Sequence, residues 1–122
     1  MATSIIEKVT NESGSGYCKM PDGTLICYGD VRVNIASGSW IDWKNDGSIF
    51  RCESQPTNGS EVFAKQFSSS DVYICLAPFT DENVMVVNVS VNSAAISKIS
   101  FARPLTRTGD FYFHYIAIGR WK

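Results

Sequence analysis

The chain has 122 residues, of which 44% are hydrophobic and 12% aromatic, enough apolar surface for one domain with a single core. Its 11 basic and 12 acidic residues nearly balance, and the sequence pI is near 5.7. No basic field is therefore present to hold a nucleic acid backbone. The apolar runs 84–87 and 115–118 are far shorter than the roughly 20 residues of a membrane-spanning helix. We expect neither nucleic acid binding nor membrane insertion.

The first 16 residues differ in composition from the rest of the chain. They are polar and end in the run Asn-Glu-Ser-Gly-Ser-Gly at 11–16, which is typical of a flexible linker. Ile5, Ile6 and Val9 have the spacing of a short apolar stripe, as in the remnant of a coiled coil or fibrous shaft. We therefore predict a linker or shaft remnant at 1–16 and a folded domain at 17–122.

The folded part opens with a hairpin signal. Residues 17–20 and 25–28 flank Pro21, Asp22 and Gly23, which favour a tight turn because proline presets φ and glycine accepts a positive φ. Residues 30–35 then alternate between polar and apolar, the period-two pattern of a strand with one wet face.

Short apolar segments continue to the end of the chain. They lie at 48–52, 62–67, 72–76, 84–91, 95–102 and 111–121, and turn residues such as Pro56, Pro78 and Pro104 separate them. No stretch has a convincing 3.6-residue period, so helices should be short or absent. Seven or more short strands predict an all-β fold, an antiparallel β-sandwich.

The last predicted strand is apolar or aromatic on both faces. Either it is a central strand covered on both sides, or one face packs against a neighbouring subunit. Period-two alternation divides it into one side with Phe111, Phe113, Tyr115, Ala117 and Trp121, and another with Tyr112, His114, Ile116 and Ile118.

The four cysteines, Cys18, Cys27, Cys52 and Cys75, form no CxxC pair, and the chain has one histidine. This pattern does not suit zinc, and we predict no metal site. Whether Cys18 and Cys27 face each other depends on the hairpin register, which the sequence leaves open. Free thiols are the favoured interpretation.

Three stretches resemble one family. GYCKMPDGTLICYG at 16–29 resembles the opening of C-terminal domains of bacteriophage tail fibres, and YIAIGRWK at 115–122 resembles their ending. Residues 63–77 also resemble the middle of these domains. The resemblance implies an H-type-lectin-like β-sandwich at the tip of a virion tail fibre, assembled in the bacterial cytoplasm. It further implies a homotrimer that recognises a cell-surface glycan or another envelope component of a bacterial host.

Within that resemblance, the aromatic side of the last strand becomes the predicted contact between copies. The sequence has one histidine and no GxSxG motif that would mark a nucleophilic serine. We therefore predict neither enzymatic activity nor a cofactor. A domain that only trimerises and caps the fibre, without binding a ligand, is the alternative. The predicted interface residues are Phe111, Phe113, Tyr115 and Trp121.

Four of the five candidate ligand-binding residues lie in the region 37–58, which matches no motif of the family, and the fifth is the one histidine of the last strand. Indole faces beside carboxylate and amide groups suit a sugar, because the apolar face of a pyranose stacks on the ring while its hydroxyls are hydrogen-bonded. The alternative is that one tryptophan plugs the end of the sandwich and the other packs at a subunit contact, while the histidine is packed within the domain or at an interface. The predicted ligand-binding residues are Trp40, Asp42, Trp43, Arg51 and His114.

Three further arginines, Arg103, Arg107 and Arg120, have two possible roles. Their guanidinium groups suit bidentate contacts with acidic sugars or teichoic acid phosphate. Arginines more often form ion pairs on the surface or between subunits, and this is the favoured interpretation for all three.

Overall fold

A computed structural model describes residues 6–57, 59–79 and 83–122 of the chain. These ranges form ten strands in two antiparallel sheets and contain no helix that could cross a membrane. The predicted all-β antiparallel fold is confirmed. The strands are β1 (Glu7–Thr10), β2 (Gly16–Lys19), β3 (Thr24–Ile35), β4 (Ile41–Asp42), β5 (Phe50–Ser54), β6 (Glu61–Val62), β7 (Tyr73–Pro78), β8 (Met85–Val91), β9 (Ala95–Arg103) and β10 (Gly109–Arg120).

The two sheets are organised around three long strands. Sheet A has the order β1-β2-β3-β10-β7, and β3 and β10 pair over twelve residues each, from Thr24 opposite Arg120 to Ile35 opposite Gly109. In sheet B, β5 and β6 pair with successive parts of β9, and β8 pairs with β9 along its other edge. The β3–β10 pair therefore sets the long axis of the domain.

The core lies between the inner faces of the sheets. Alternate residues of β3 and β10 point inward, and β9 of sheet B faces them. Phe101 is fully buried, and its ring centroid lies 5.2 Å from that of Phe111 and 5.6 Å from that of Phe113. Aromatic pairs at such distances add stabilisation beyond the area that they bury. Further buried core residues are Leu25, Cys27, Val31, Val33, Ile35, Cys52, Ile96, Ile99, Tyr115 and Ala117.

The structure corrects the predicted contact between copies. The side chains of Phe111, Phe113 and Tyr115 are at most 2% exposed within a single chain, so they cannot reach a second copy. Trp121, just beyond β10, is half-buried, and its Nε1 donates to the Met20 carbonyl at 2.9 Å. Period-two alternation separated the two faces of β10 correctly but did not say which face points inward.

The structure also corrects the predicted linker at 1–16. Strand β1 pairs in register with β2, and the Tyr17 hydroxyl donates to Glu7 at 2.8 Å. The hydroxyls of Thr10 and Tyr28 are 2.7 Å apart, which ties β1 to β3 as well. The domain therefore includes Glu7–Thr10, and the linker interpretation is wrong there. Ile5, part of the proposed shaft stripe, lies outside the described residues.

The hairpin between β2 and β3 turns as the sequence predicts. The Thr24 amide donates to Asp22 Oδ1 at 2.9 Å, and Gly23 has a φ of 96°. A Cβ at position 23 would also displace the guanidinium of Arg120. Glycine is therefore favoured there chiefly by its backbone conformation.

The hairpin register answers the question about the cysteines. Cys18 pairs with Ile26 and Cys27 with Tyr17, so the two thiols lie on opposite faces of sheet A. All four cysteines are free, as predicted. Burial raises the pKa of the Cys27 thiol, whose Sγ donates to the Lys65 carbonyl at 3.3 Å.

The surroundings of Glu61 in β6 disfavour the ionised form of its carboxyl group. Burial raises its pKa, and the negative charge of Asp30 adds to the shift. Burial is also the main cause that raises the pKa of the neighbouring Tyr115 hydroxyl, with Glu61 as the next cause. An acid with a raised pKa in the folded state destabilises the fold when it is ionised.

We expect Phe113→Ala to lower the free energy of unfolding by about 3–5 kcal/mol, because it leaves a cavity between the sheets. Since Phe113 is buried within one chain, the loss should not depend on protein concentration in urea titrations. Val62→Ala, at a side chain that is 66% exposed, serves as the control and should cost less than about 1 kcal/mol. If the loss of unfolding free energy caused by Phe113→Ala grew on dilution, Phe113 would instead belong to an interface between copies.

Glu61→Gln should raise the melting temperature at pH 7, because it removes the ionised form that burial disfavours. The penalty is present above the raised pKa of Glu61 and disappears as falling pH protonates the carboxyl in both states. The gain should therefore vanish below about pH 4. The control is Glu53→Gln, since Glu53 pairs with Arg51 and Lys98. Equal effects of the two substitutions in thermal unfolding would contradict this account.

Candidate functional site

The predicted ligand-binding residues do not lie together in one place. Arg51 of β5 is on the outer face of sheet B, since its neighbour Cys52 points into the core. His114 of β10 is on the outer face of sheet A, between the inward-pointing Phe113 and Tyr115. The outer faces of a sandwich point in opposite directions. The structure does not bring His114 together with the other predicted residues.

The two tryptophans have different surroundings. Trp40 packs edge-on against Phe101 and Phe111 at the end of the core, with ring centroids 5.6 and 5.9 Å apart. Trp43 is 41% exposed, and the guanidinium of Arg51 lies 5.9 Å from its ring centroid on the outer side of sheet B. One indole is therefore part of the sandwich end, and the other belongs to the surface.

Arg51 is paired within its own chain. Its Nε donates to Ser100 Oγ at 3.1 Å, and its Nη2 lies 3.3 Å from a carboxylate oxygen of Glu53. Lys98 Nζ lies 3.1 Å from the other carboxylate oxygen of Glu53. These three charged residues form a ladder of alternating sign across the outer face of sheet B, beside Trp43.

Asp42 shapes the turn that follows it. Its Oδ2 accepts from the Gly47 amide at 2.9 Å, while its Oδ1 is buried without a hydrogen-bond partner. Asp46 accepts from both the amide and the hydroxyl of Ser48, and these hydrogen bonds lower its pKa. The carboxylates at 42–48 therefore hold a loop in shape.

His114 is in contact with both a carboxylate and an aromatic ring. Its Nδ1 lies 2.5 Å from Asp30 Oδ1, and its ring stacks on Phe79 with centroids 3.9 Å apart. A hollow of about 100 Å³ lies beside it, bounded by Cys75, Ala77 and Ile116. This volume is well below the roughly 300 Å³ at which small-molecule sites begin.

An open cleft of about 370 Å³ lies at the end of the sandwich next to Trp40. Two loops form it, one between β3 and β4 and the other between β9 and β10. Trp40 Nε1 donates to the Arg107 carbonyl at 2.8 Å and joins the two loops. We call it the Trp40 cleft. Its lining residues are Ser37, Gly38, Trp40, Thr106, Arg107 and Thr108.

The wall of the cleft is held by Arg107. Its guanidinium lies 4.1 Å from the ring centroid of Phe111, and it donates to the carbonyls of Thr108 at 3.3 Å and Asp110 at 2.9 Å. The arginine thus fixes its own loop against the core. Ser37, Thr106 and Thr108 line the same cleft, and all three residues are exposed. Their hydroxyls form no hydrogen bond with the residues that the structure describes.

Of the residues that line this cleft, sequence reasoning marked Trp40 as a ligand contact and Arg107 as one of three arginines that suit an acidic sugar. The hydroxyl residues escaped because they read as ordinary turn residues, and Trp40 and Arg107 are 67 positions apart in sequence. The weak signal was shared composition. Both loops, 36–40 and 104–109, are short and consist mainly of small or hydroxyl-bearing residues.

No family model and no curated protein matches this chain. Two solved structures do. One is the R1 pyocin fibre of P. aeruginosa comprising C-terminal residues 323–701, at 16% identity and a TM-score of 0.54. The match covers 93% of this chain and 28% of that one, so this chain spans little more than a quarter of it.

The other structure is an N-truncated R1-type pyocin tail fibre, at 16% identity and a TM-score of 0.53. This match covers 93% of the present chain and 86% of the fibre chain. At this level of identity, the likeness shows a shared fold. The sandwich described above is thus a fold that occurs in tail fibres.

Proposed function

We propose that this chain is the receptor-binding tip domain of a tail fibre of bacteriophage or pyocin type, and that it binds a bacterial cell-surface glycan. The observation that carries the proposal is the Trp40 cleft, where an indole and three hydroxyl side chains meet at one end of the domain. Sugars suit such a lining, because they present an apolar face and many hydroxyls. The H-type-lectin-like character of the sandwich, its place in the virion and its assembly in the bacterial cytoplasm belong to the same proposal.

The position of the cleft supports a role at a fibre tip. Glu7 pairs with Lys19, which pairs with Leu25 near the start of β3, whereas the cleft adjoins Ile35 at the end of β3. The ten residue steps from Leu25 to Ile35 span roughly 33 Å in a strand. A shaft that preceded Glu7 would therefore join the domain at the end opposite the cleft, which leaves the cleft free to meet a cell.

The cleft is open and shallow, so a single site should bind weakly. Several copies on one fibre raise the overall affinity by roughly 100-fold or more without new contacts, provided that the geometry allows them to bind together. Binding rather than catalysis is what this arrangement supports, with no cofactor.

A glycan array probed with the purified chain tests the binding proposal. The double variant Ser37→Ala, Thr106→Val removes two cleft hydroxyls and should weaken binding about tenfold or more, since each neutral hydrogen bond contributes about 1 kcal/mol. The control is Ser90→Ala, an exposed serine of β8 in sheet B. Undiminished binding by the double variant would place the glycan site elsewhere.

We further propose that the chain forms a homotrimer, with sibling copies on the outer face of sheet A. There Ile116 is 52%, Ile118 42% and Tyr73 73% exposed, and the half-buried Ile26 and Tyr28 extend this apolar strip across β3. The outer face of sheet B also exposes Ile41 and Met85, but there they lie on the same face as the charged ladder of Arg51, Glu53 and Lys98. Contiguous exposed apolar area of this kind marks an interaction surface. In this proposal, the outer face of sheet A forms the contact between copies that the sequence analysis had assigned to Phe111, Phe113 and Tyr115.

The same strip favours the second candidate function, a domain that trimerises and caps a fibre without a ligand. The two candidates differ in their response to host cells. Receptor binding would be supported if the isolated domain blocked adsorption of the intact fibre to host cells and the Ser37→Ala, Thr106→Val variant did not. A stable oligomer that binds no glycan and no host cell would support the cap.

The variant Ile116→Lys, Ile118→Lys should convert an oligomer into a 13.5 kDa monomer with the same β-sheet circular dichroism, because it places charges on a face that is not needed for the core. Light scattering at micromolar concentration measures the change. Val62→Lys, on an even more exposed side chain that belongs to sheet B, is the control and should leave the oligomer intact. A monomeric unmodified chain at these concentrations would contradict the trimer.

A further inference from the structure

The charges near the Trp40 cleft point to the class of sugar that it takes. The loop at 36–40 contains no charged residue, and the loop at 104–109 contains one, Arg107. An acidic sugar or a phosphate would therefore have Arg107 as its only counter-charge within these two loops.

Arg107 is engaged in holding its own loop. Two of its nitrogens donate to the carbonyls of Thr108 and Asp110, and the plane of the group packs near the ring of Phe111. To turn outward toward a carboxylate, the guanidinium would have to leave both carbonyls and the aromatic ring. Such a move would release the loop whose carbonyl also holds Trp40.

The other two arginines that suited an anion are also committed. Arg103, the last residue of β9, is buried at 8% exposure. Arg120 donates to the Asp22 carbonyl at 2.7 Å, at the opposite end of the domain from the cleft. Neither residue lines the Trp40 cleft.

We propose that the Trp40 cleft selects uncharged sugar units, and that it discriminates against uronic acids and sugar phosphates. This inference rests on the proposed glycan-binding function. The hydroxyls of Ser37, Thr106 and Thr108 both donate and accept, which matches the hydroxyls of a neutral pyranose. An anion in the same place would lose its hydration without gaining a cation, which is unfavourable.

Matched sugars test the inference. Methyl galactoside and methyl glucoside are compared with the methyl glycosides of galacturonic acid, of glucuronic acid and of the corresponding 6-phosphates, which differ from them only at carbon 6. Binding is measured by ligand-detected NMR and by the change in tryptophan fluorescence of a Trp43→Phe variant, in which Trp40 is accompanied only by Trp121 at the opposite end of the domain. We expect at least about tenfold weaker binding of the anionic partners, and less than about a twofold change for the neutral sugars when salt rises from about 0.05 to 0.5 M.

A gain-of-charge variant provides a second measurement. Thr106→Lys places at the rim of the cleft an ammonium group that, unlike the guanidinium of Arg107, is not engaged with backbone carbonyls. This variant should therefore bind galacturonic acid, and high salt should abolish the binding. Ser90→Lys, on the outer part of sheet B, is the matched control and should give no such gain.

Failure of the proposed selectivity and failure of the proposed glycan binding give different results. Salt-sensitive binding of the anionic sugars that is equal to or tighter than that of their neutral partners would overturn the selectivity and leave glycan binding in place. No binding of either class on the array, with no adsorption to host cells, would overturn the proposed function and the selectivity together.

Discussion

The contact of Phe101 with Phe111 and Phe113 is the interaction on which the rest of the structure depends. It joins sheet B to sheet A at the centre of the core, and Trp40 packs edge-on against Phe101 and Phe111 where the core ends. The cleft is thus built on the last layer of the core rather than on a free loop. A ligand site supported in this way is kept in shape by the same packing that holds the sheets together.

Local chemistry made much of the fold predictable. The Pro21 to Gly23 turn and the alternation along β3 are decided by neighbouring residues, so sequence periodicity was sufficient to find them. The predicted strand at 62–67 was wrong beyond Val62, because Phe63 and Phe67 leave the sheet and pack edge-to-face into the core, 5.2 Å apart. Apolar content alone does not separate a strand from a packed irregular segment.

The candidate site was harder to predict, because it depends on pairing across the chain. His114 and Trp43 were marked by residue type, yet pairing placed them on opposite outer faces of the sandwich. The cleft arises because β3 ends at Ile35 opposite Gly109, which brings the two flanking loops together. No local pattern in either loop carries that information, and Trp40 was found only because indoles are rare and suit sugars.

The two outer faces of the sandwich differ in character. On sheet B, Arg51, Glu53 and Lys98 pair with one another in water, beside the exposed side chains of Ile41 and Met85. The strip around Ile116 and Ile118 on sheet A gains free energy when it is covered. In the proposed trimer, copies that cover this strip side by side would keep β3 and β10 along a common axis, with the chain entering at one end. The cleft at the other end would then stay accessible in every copy, as multivalent binding requires.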